Sequence, residues 1–119
     1  MARTIVCRVA GVTFDGRQEI ISQLKGNEPC RISPEPSNKF DPNALAVHVA
    51  MADGKVEHVG FVPRDLAAQI APFLEGEAVM CKLLEIVGGF ETHDGEIAAL
   101  GLRIQIEIPD DLTVLKDGK

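Results

Sequence analysis

The chain has 119 residues, 45% of them hydrophobic, a formal charge of −6 and three cysteines. This length and apolar content fit one globular domain with its own core, and the negative balance opposes broad, charge-driven binding along nucleic acid. No apolar run approaches the ~20 residues that span a bilayer. The N-terminus Met1-Ala2-Arg3-Thr4 leads into a strand pattern, not a signal peptide, so a cytoplasmic module without a membrane partner is expected.

Residues 3 to 10 have the β-branched, partly alternating content of a strand, which Gly11 and Asp15-Gly16 close. A short helix is predicted next. Asp15 is its candidate N-cap with Gln18 three residues on, Ile20, Ile21 and Leu24 form its apolar face, and Gly26 stops it. Residues 28 to 33 read as a second strand. Residues 44 to 51 alternate well, Asp53-Gly54 supplies a hairpin turn, and residues 55 to 62 return. Pro63 then opens a helix through Leu74, with Asp65 in its first turn, Leu66, Ile70, Phe73 and Leu74 as its core stripe, and Gly76 beyond its end. Residues 77 to 87 and 97 to 108 are predicted to pair as a second hairpin through Gly88-Gly89 and a turn around Thr92-His93-Asp94-Gly95. Six strands and two short helices without regular βαβ alternation indicate a mainly-β α+β domain over residues 1–108 whose antiparallel sheet curls into a small barrel. Residues 109–119 form an acidic, flexible tail by composition.

Cys7, Cys30 and Cys81 lack C-x-x-C spacing and sit among aliphatic residues, so they read as buried free thiols. His48, His58 and His93 lack the spacing of a metal site. There is no P-loop, no nucleophile elbow and no paired-carboxylate motif. The chain is therefore expected to be a non-enzyme with no cofactor and no metal.

The most informative stretch is Glu35-Pro36-Ser37-Asn38-Lys39-Phe40-Asp41-Pro42-Asn43-Ala44-Leu45-Ala46-Val47. Prolines that cannot donate backbone hydrogen bonds, and Asn and Asp that bond their own backbone, make it a structured turn. Phe40 within it either folds back as a plug over the core or waits for a flat partner such as a nucleobase. Charge is uneven: residues 1 to 65 carry eight Lys/Arg and eight Asp/Glu, residues 66 to 119 carry four and ten. In the neutral half, Arg17, Lys39, Lys55 and Arg64 lie in or beside predicted loops and helix starts, where long cationic side chains reach a ligand. Arg64 at a helix N-terminus would reinforce anion binding by backbone donors.

Three blocks in order, Gly11-Val12-Thr13-Phe14-Asp15-Gly16-Arg17-Gln18, the stretch from Glu35 to Val47, and Val59-Gly60-Phe61-Val62-Pro63-Arg64-Asp65-Leu66-Ala67, resemble the HIRAN domain family over about residues 5 to 75. The resemblance implies a modified oligonucleotide-binding barrel that recognises single-stranded DNA, in one branch the 3′ end, alongside helicase or nuclease subunits in repair, replication-fork or mobile-element processing. By it, Phe14 and Phe40 stack on terminal bases, and Asn38, Asp41 and Arg64 hold the terminal sugar and phosphate. Arg17 and Lys39 are candidates for backbone phosphates, and the Asp41 carboxylate suits a free 3′-hydroxyl while repelling a 3′-phosphate. Thr13 stands where the end-binding branch carries arginine, Ser37 where it carries asparagine, and Pro63 replaces a basic residue. A protein-interaction adaptor is the alternative, motivated by the net charge, and a small-ligand or sugar-binding barrel the third reading.

Overall fold

A computed structural model describes residues 3–74 and 77–108. It contains six strands and two helices in the order β1 (Arg3–Arg8), α1 (Arg17–Ser22), β2 (Pro29–Pro34), β3 (Leu45–Ala50), β4 (Val56–Phe61), α2 (Arg64–Leu74), β5 (Val79–Val87) and β6 (Gly101–Ile108). The strands form one antiparallel sheet in the spatial order β1-β6-β5-β2-β3-β4. The α+β, mainly-β architecture is thus as expected. The sheet is not a closed barrel, however. Its edges β1 and β4 meet only at an isolated bridge between Ala10 and Phe61. Closure stops there because the chain leaves the sheet at Gly11, whose φ of +72° turns it into the loop before α1.

Strand alternation builds the core. Leu102, Ile104 and Ile106 of β6, Leu45, Val47 and Val49 of β3 and Ile32 of β2 are essentially inaccessible to solvent. Each such side chain contributes roughly 1.5–3 kcal/mol by leaving water. α1 adds Ile21, and α2 adds Ala67, Ile70 and Leu74, with Leu66 and Phe73 partly buried beside them. The Asp53-Gly54 hairpin forms as expected: Met51 N–H donates to the Lys55 carbonyl at 2.8 Å and Gly54 takes φ +90°.

Four local expectations are corrected. Gly16, with φ +74°, and not Asp15, is the N-cap of α1, and no side chain caps it; Asp15 is itself in a left-handed conformation at φ 56° and its carboxylate meets Arg17. Gln18 makes no capping box but spans to the far end of the chain: its side-chain oxygen accepts from Leu100 N–H at 2.8 Å and its amide donates to the Leu100 carbonyl at 2.8 Å and the Val12 carbonyl at 2.9 Å. α1 ends at Ser22, ahead of Gly26, and β6 starts at Gly101 instead of residue 97, Ile97 belonging to a separate bridge with Glu91. The proposed tail and the Gly76 helix stop lie outside the described residues.

The bridge depends on Gly60. At φ +154°, a Cβ there would collide with the Ala10 carbonyl oxygen and lie 2.5 Å from Val9 Cγ1. Gly60→Ala combines overpacking with backbone strain and is expected to cost about 3 kcal/mol or more. Gly54→Ala, also at positive φ but with open space around it, is expected to cost only about 1–2 kcal/mol. Urea unfolding of both variants checks the difference; equal losses would show that the close approach to Ala10 carries no energetic weight.

Candidate nucleic-acid interface

The Ala10–Phe61 bridge is made by paired backbone bonds, Ala10 N–H to the Phe61 carbonyl at 2.7 Å and Phe61 N–H to the Ala10 carbonyl at 2.9 Å. A cleft of ≈ 540 Å³ opens on it, lined by Phe14, Arg17, Asn38, Phe40, Asp41, Phe61 and Arg64 among others. Six of the seven residues expected from the sequence to contact DNA therefore share one cleft. Lys39 is exposed on the same loop as Phe40 but is not part of its lining.

Loop 11–17 presents Phe14. Backbone bonds from Phe14 N–H to the Gly11 carbonyl at 3.4 Å and from Arg17 N–H to the Phe14 carbonyl at 3.0 Å coil it tightly. Arg17 holds this coil from within. Its residue is only 7% exposed, Nη1 donates to the Gly11 carbonyl at 2.7 Å, Nη2 lies 3.4 Å from Asp15 Oδ2, and Cζ sits 5.4 Å from the Phe61 ring centroid. A guanidinium so placed is favoured by the ring's quadrupole and by its carbonyl and carboxylate acceptors. Phe14 itself is 64% exposed, so its ring takes no part in the core.

Loop 35–44 is organised by its own side chains. Asn38 Oδ1 accepts from the backbone of Phe40 at 2.8 Å and of Asp41 at 3.0 Å, while Asn38 Nδ2 donates to Glu35 Oε1 at 3.0 Å. Asp41 Oδ1 accepts from Asn43 N–H at 2.9 Å, and the loop closes where Glu35 N–H meets the Ala44 carbonyl at 2.9 Å. The result lifts Phe40 to 88% exposure. It too is no plug, although water gives a bare ring no compensation. The second Asp41 oxygen, Oδ2, lies 3.8 Å from Arg64 Nε; the Asp41 side chain is 18% accessible and that of Arg64 78%. So loose and exposed a pair contributes little to stability, and both groups remain open to other partners.

Phe61 went unrecognised in the sequence as the cleft floor, although it lies within the third block of resemblance, and so did Arg17's role as an internal brace. Behind Phe61, His58 packs edge-on to the ring at 4.8 Å and lies 5.2 Å from His48. Burial chiefly, then the neighbouring His58 and Arg31, hold His48 below the ordinary histidine range, against a smaller opposing effect of Glu35; its buried Nδ1 has no hydrogen-bond partner among the described residues. No cluster of three or more His, Cys, Asp or Glu suited to a metal occurs among the described residues.

Asn38 satisfies two backbone donors, so Asn38→Ala is expected to lower stability by about 1–2 kcal/mol, read by chemical denaturation, with faster amide exchange at Phe40 and Asp41. Acidification should also weaken the fold. The unfolded chain takes up a proton at His48 near the usual ~6.5, before the folded protein does, so stability falls as pH drops below that value. Thermal melts at pH 7 and pH 5.5 should show the fall, and His48→Gln should reduce it.

A family model described as HIRAN domain matches residues 3–110 of the 119. Neither the curated proteins nor the solved structures contain a match to the chain.

Proposed function

The chain belongs to the HIRAN domain family, whose members are generally DNA-binding modules, and on that premise we propose that its cleft captures the 3′-hydroxyl end of single-stranded DNA. The observation that carries this reading is the exposure of two phenylalanines, Phe14 and Phe40, on separate loops of one cleft. Neither ring has a ring or cation partner among the described residues, and every base offers them a face worth roughly 1–3 kcal/mol. A cleft of ≈ 540 Å³ lies within the ~300–1,000 Å³ range of small-ligand sites, which suits a terminal nucleotide.

In this reading each side chain has a separate task. Phe14 and Phe40 stack on the last bases. Asp41 Oδ2 accepts the 3′-hydroxyl and repels a 3′-phosphate. Arg64 meets the terminal phosphodiester, Lys39 an adjacent one, and the second amide hydrogen of Asn38 faces the sugar. Arg17 acts as a positioning residue, because its guanidinium is already bonded to Gly11 and stacked on Phe61. HIRAN is a binding domain and not a catalytic one; the proposal is that this protein works without chemistry of its own, beside a helicase or nuclease subunit, in the cytoplasm, in DNA repair, fork or mobile-element processing. With two exposed cations, binding should respond weakly to salt, with a log–log slope of about −0.7 to −1.4.

Protein docking is the second reading, favoured by the exposure of Phe90 (62%) and Ile97 (66%) on the β5–β6 connection, outside the cleft lining.

Fluorescence anisotropy with a short single strand tests the proposal. Phe40→Ala should weaken binding about tenfold or more while leaving the fold intact, and Asp41→Asn should reduce the preference for a 3′-hydroxyl over a 3′-phosphate. Unchanged affinity in a folded Phe40→Ala protein would overturn the stacking role.

A further inference from the structure

Cys30 and Cys81 stand far apart in sequence but oppose each other directly across the β2–β5 ladder. Directly opposed residues in antiparallel strands have Cα atoms about 4.5 or 5.5 Å apart, depending on the hydrogen-bonding site, and both values lie within the span a disulfide bridges. Their sulfurs are already in contact at 2.9 Å. Both are free thiols, Cys30 buried and Cys81 half-buried. We propose that Cys30 and Cys81 form a redox-modification site at which a hydroperoxide converts the thiol pair into a cross-strand disulfide joining β2 to β5.

The chemistry assigns the two sulfurs different parts. Either sulfur can donate the hydrogen bond between them; with the proton on Cys81, that bond holds the Cys30 thiol below its ordinary range despite burial, and the same bond together with desolvation pushes Cys81 up. Cys30, which lines an open pocket beside Arg31, takes the nucleophile's part in this scheme. Its thiolate attacks one peroxide oxygen, the O–O bond breaks, and the departing oxygen leaves as hydroxide or alkoxide and is protonated to water or alcohol, with a sulfenic acid left on Cys30. The Cys81 sulfur then displaces hydroxide from that sulfur, the S–S bond forms, and the Cys81 proton leaves with the hydroxide as water. Two thiols lose two electrons and one peroxide gains them. Cys30 lines a pocket of ≈ 120 Å³ beside Arg31, His48 and Met80, several times the ~30 Å³ share of one water in the liquid, so a small peroxide fits at its edge.

Cys7 is excluded as a partner by topology. It lies on β1 opposite Ile104 of β6, and β6 separates β1 from β5. Burial raises its pKa, which keeps it a protonated thiol.

The test treats the folded chain with equimolar hydrogen peroxide, blocks remaining thiols with N-ethylmaleimide, and maps the unreduced peptides by mass spectrometry. The expected product carries a Cys30–Cys81 link, loses two hydrogen masses, takes one label at Cys7, and returns to three labels after dithiothreitol. Cys7→Ser should leave the link intact, and Cys81→Ser should leave Cys30 as a sulfenic acid trappable by dimedone. Three labelled thiols after oxidation, a link through Cys7, or Cys30 over-oxidised with Cys81 still free would overturn the proposal. The wild-type map decides the matter even if a variant fails to fold.

Discussion

The close backbone approach of Ala10 to Phe61 is the constraint on which the rest of the cleft depends. Here an antiparallel sheet that is otherwise open brings its two edges together, and the approach exists because Gly60 has no side chain to obstruct the Ala10 carbonyl. Everything on the candidate site is measured from that point. Loop 11–17 leaves the sheet immediately after Ala10, α2 starts three residues after Phe61, and the Phe61 ring between them is the surface on which Arg17 lies. A cation buried in this way needs its charge answered, and the Gly11 carbonyl, the Asp15 carboxylate and the ring face together do so.

The second wall solves a different problem. A segment with two prolines has few backbone donors to offer a sheet, so its stability comes from side chains: Asn38 and Asp41 bind the N–H groups of the loop that carries them. An Asx-rich turn is rigid without being buried. This is how the chain holds Phe40 in solvent at little cost in backbone order, and a ring held so loses little entropy when a flat partner stacks on it. The cleft is close to neutral, since Arg64 faces Asp41 and Arg17 faces Asp15. Selectivity in such a site comes from shape and from single hydrogen bonds more than from phosphate attraction, which agrees with the chain's overall negative charge.

Local patterns were legible in the sequence where physics is local. The β3–β4 hairpin was marked by alternation and Asp-Gly, α2 by Pro63 and its apolar stripe, and the three blocks carried the family together with most of the cleft lining. What escaped depends on long-range pairing. Asp15 has the side chain of an N-cap, but Gly16 takes that place because Asp15 is drawn to Arg17. Gln18 was read against its neighbours although its partner is Leu100, and Arg17 looked like a free loop cation because no periodicity reports a ring arriving from another strand. Barrel closure could not be read from strand count, because it turns on where a single chain segment leaves the sheet. Cys30 and Cys81 appeared as separate core thiols for the same reason: only the β2–β5 register sets them face to face.

End capture by the cleft can be read from chemical-shift mapping of the isotopically labelled protein titrated with a short single-stranded DNA carrying a free 3′-hydroxyl. Saturable amide shifts concentrated in residues 10–17, 38–44 and 61–64 are expected, with the Phe14 and Phe40 ring protons moving upfield under a stacked base. Absence of shifts, or shifts confined to the β5–β6 connection around Phe90 and Ile97, would contradict end capture.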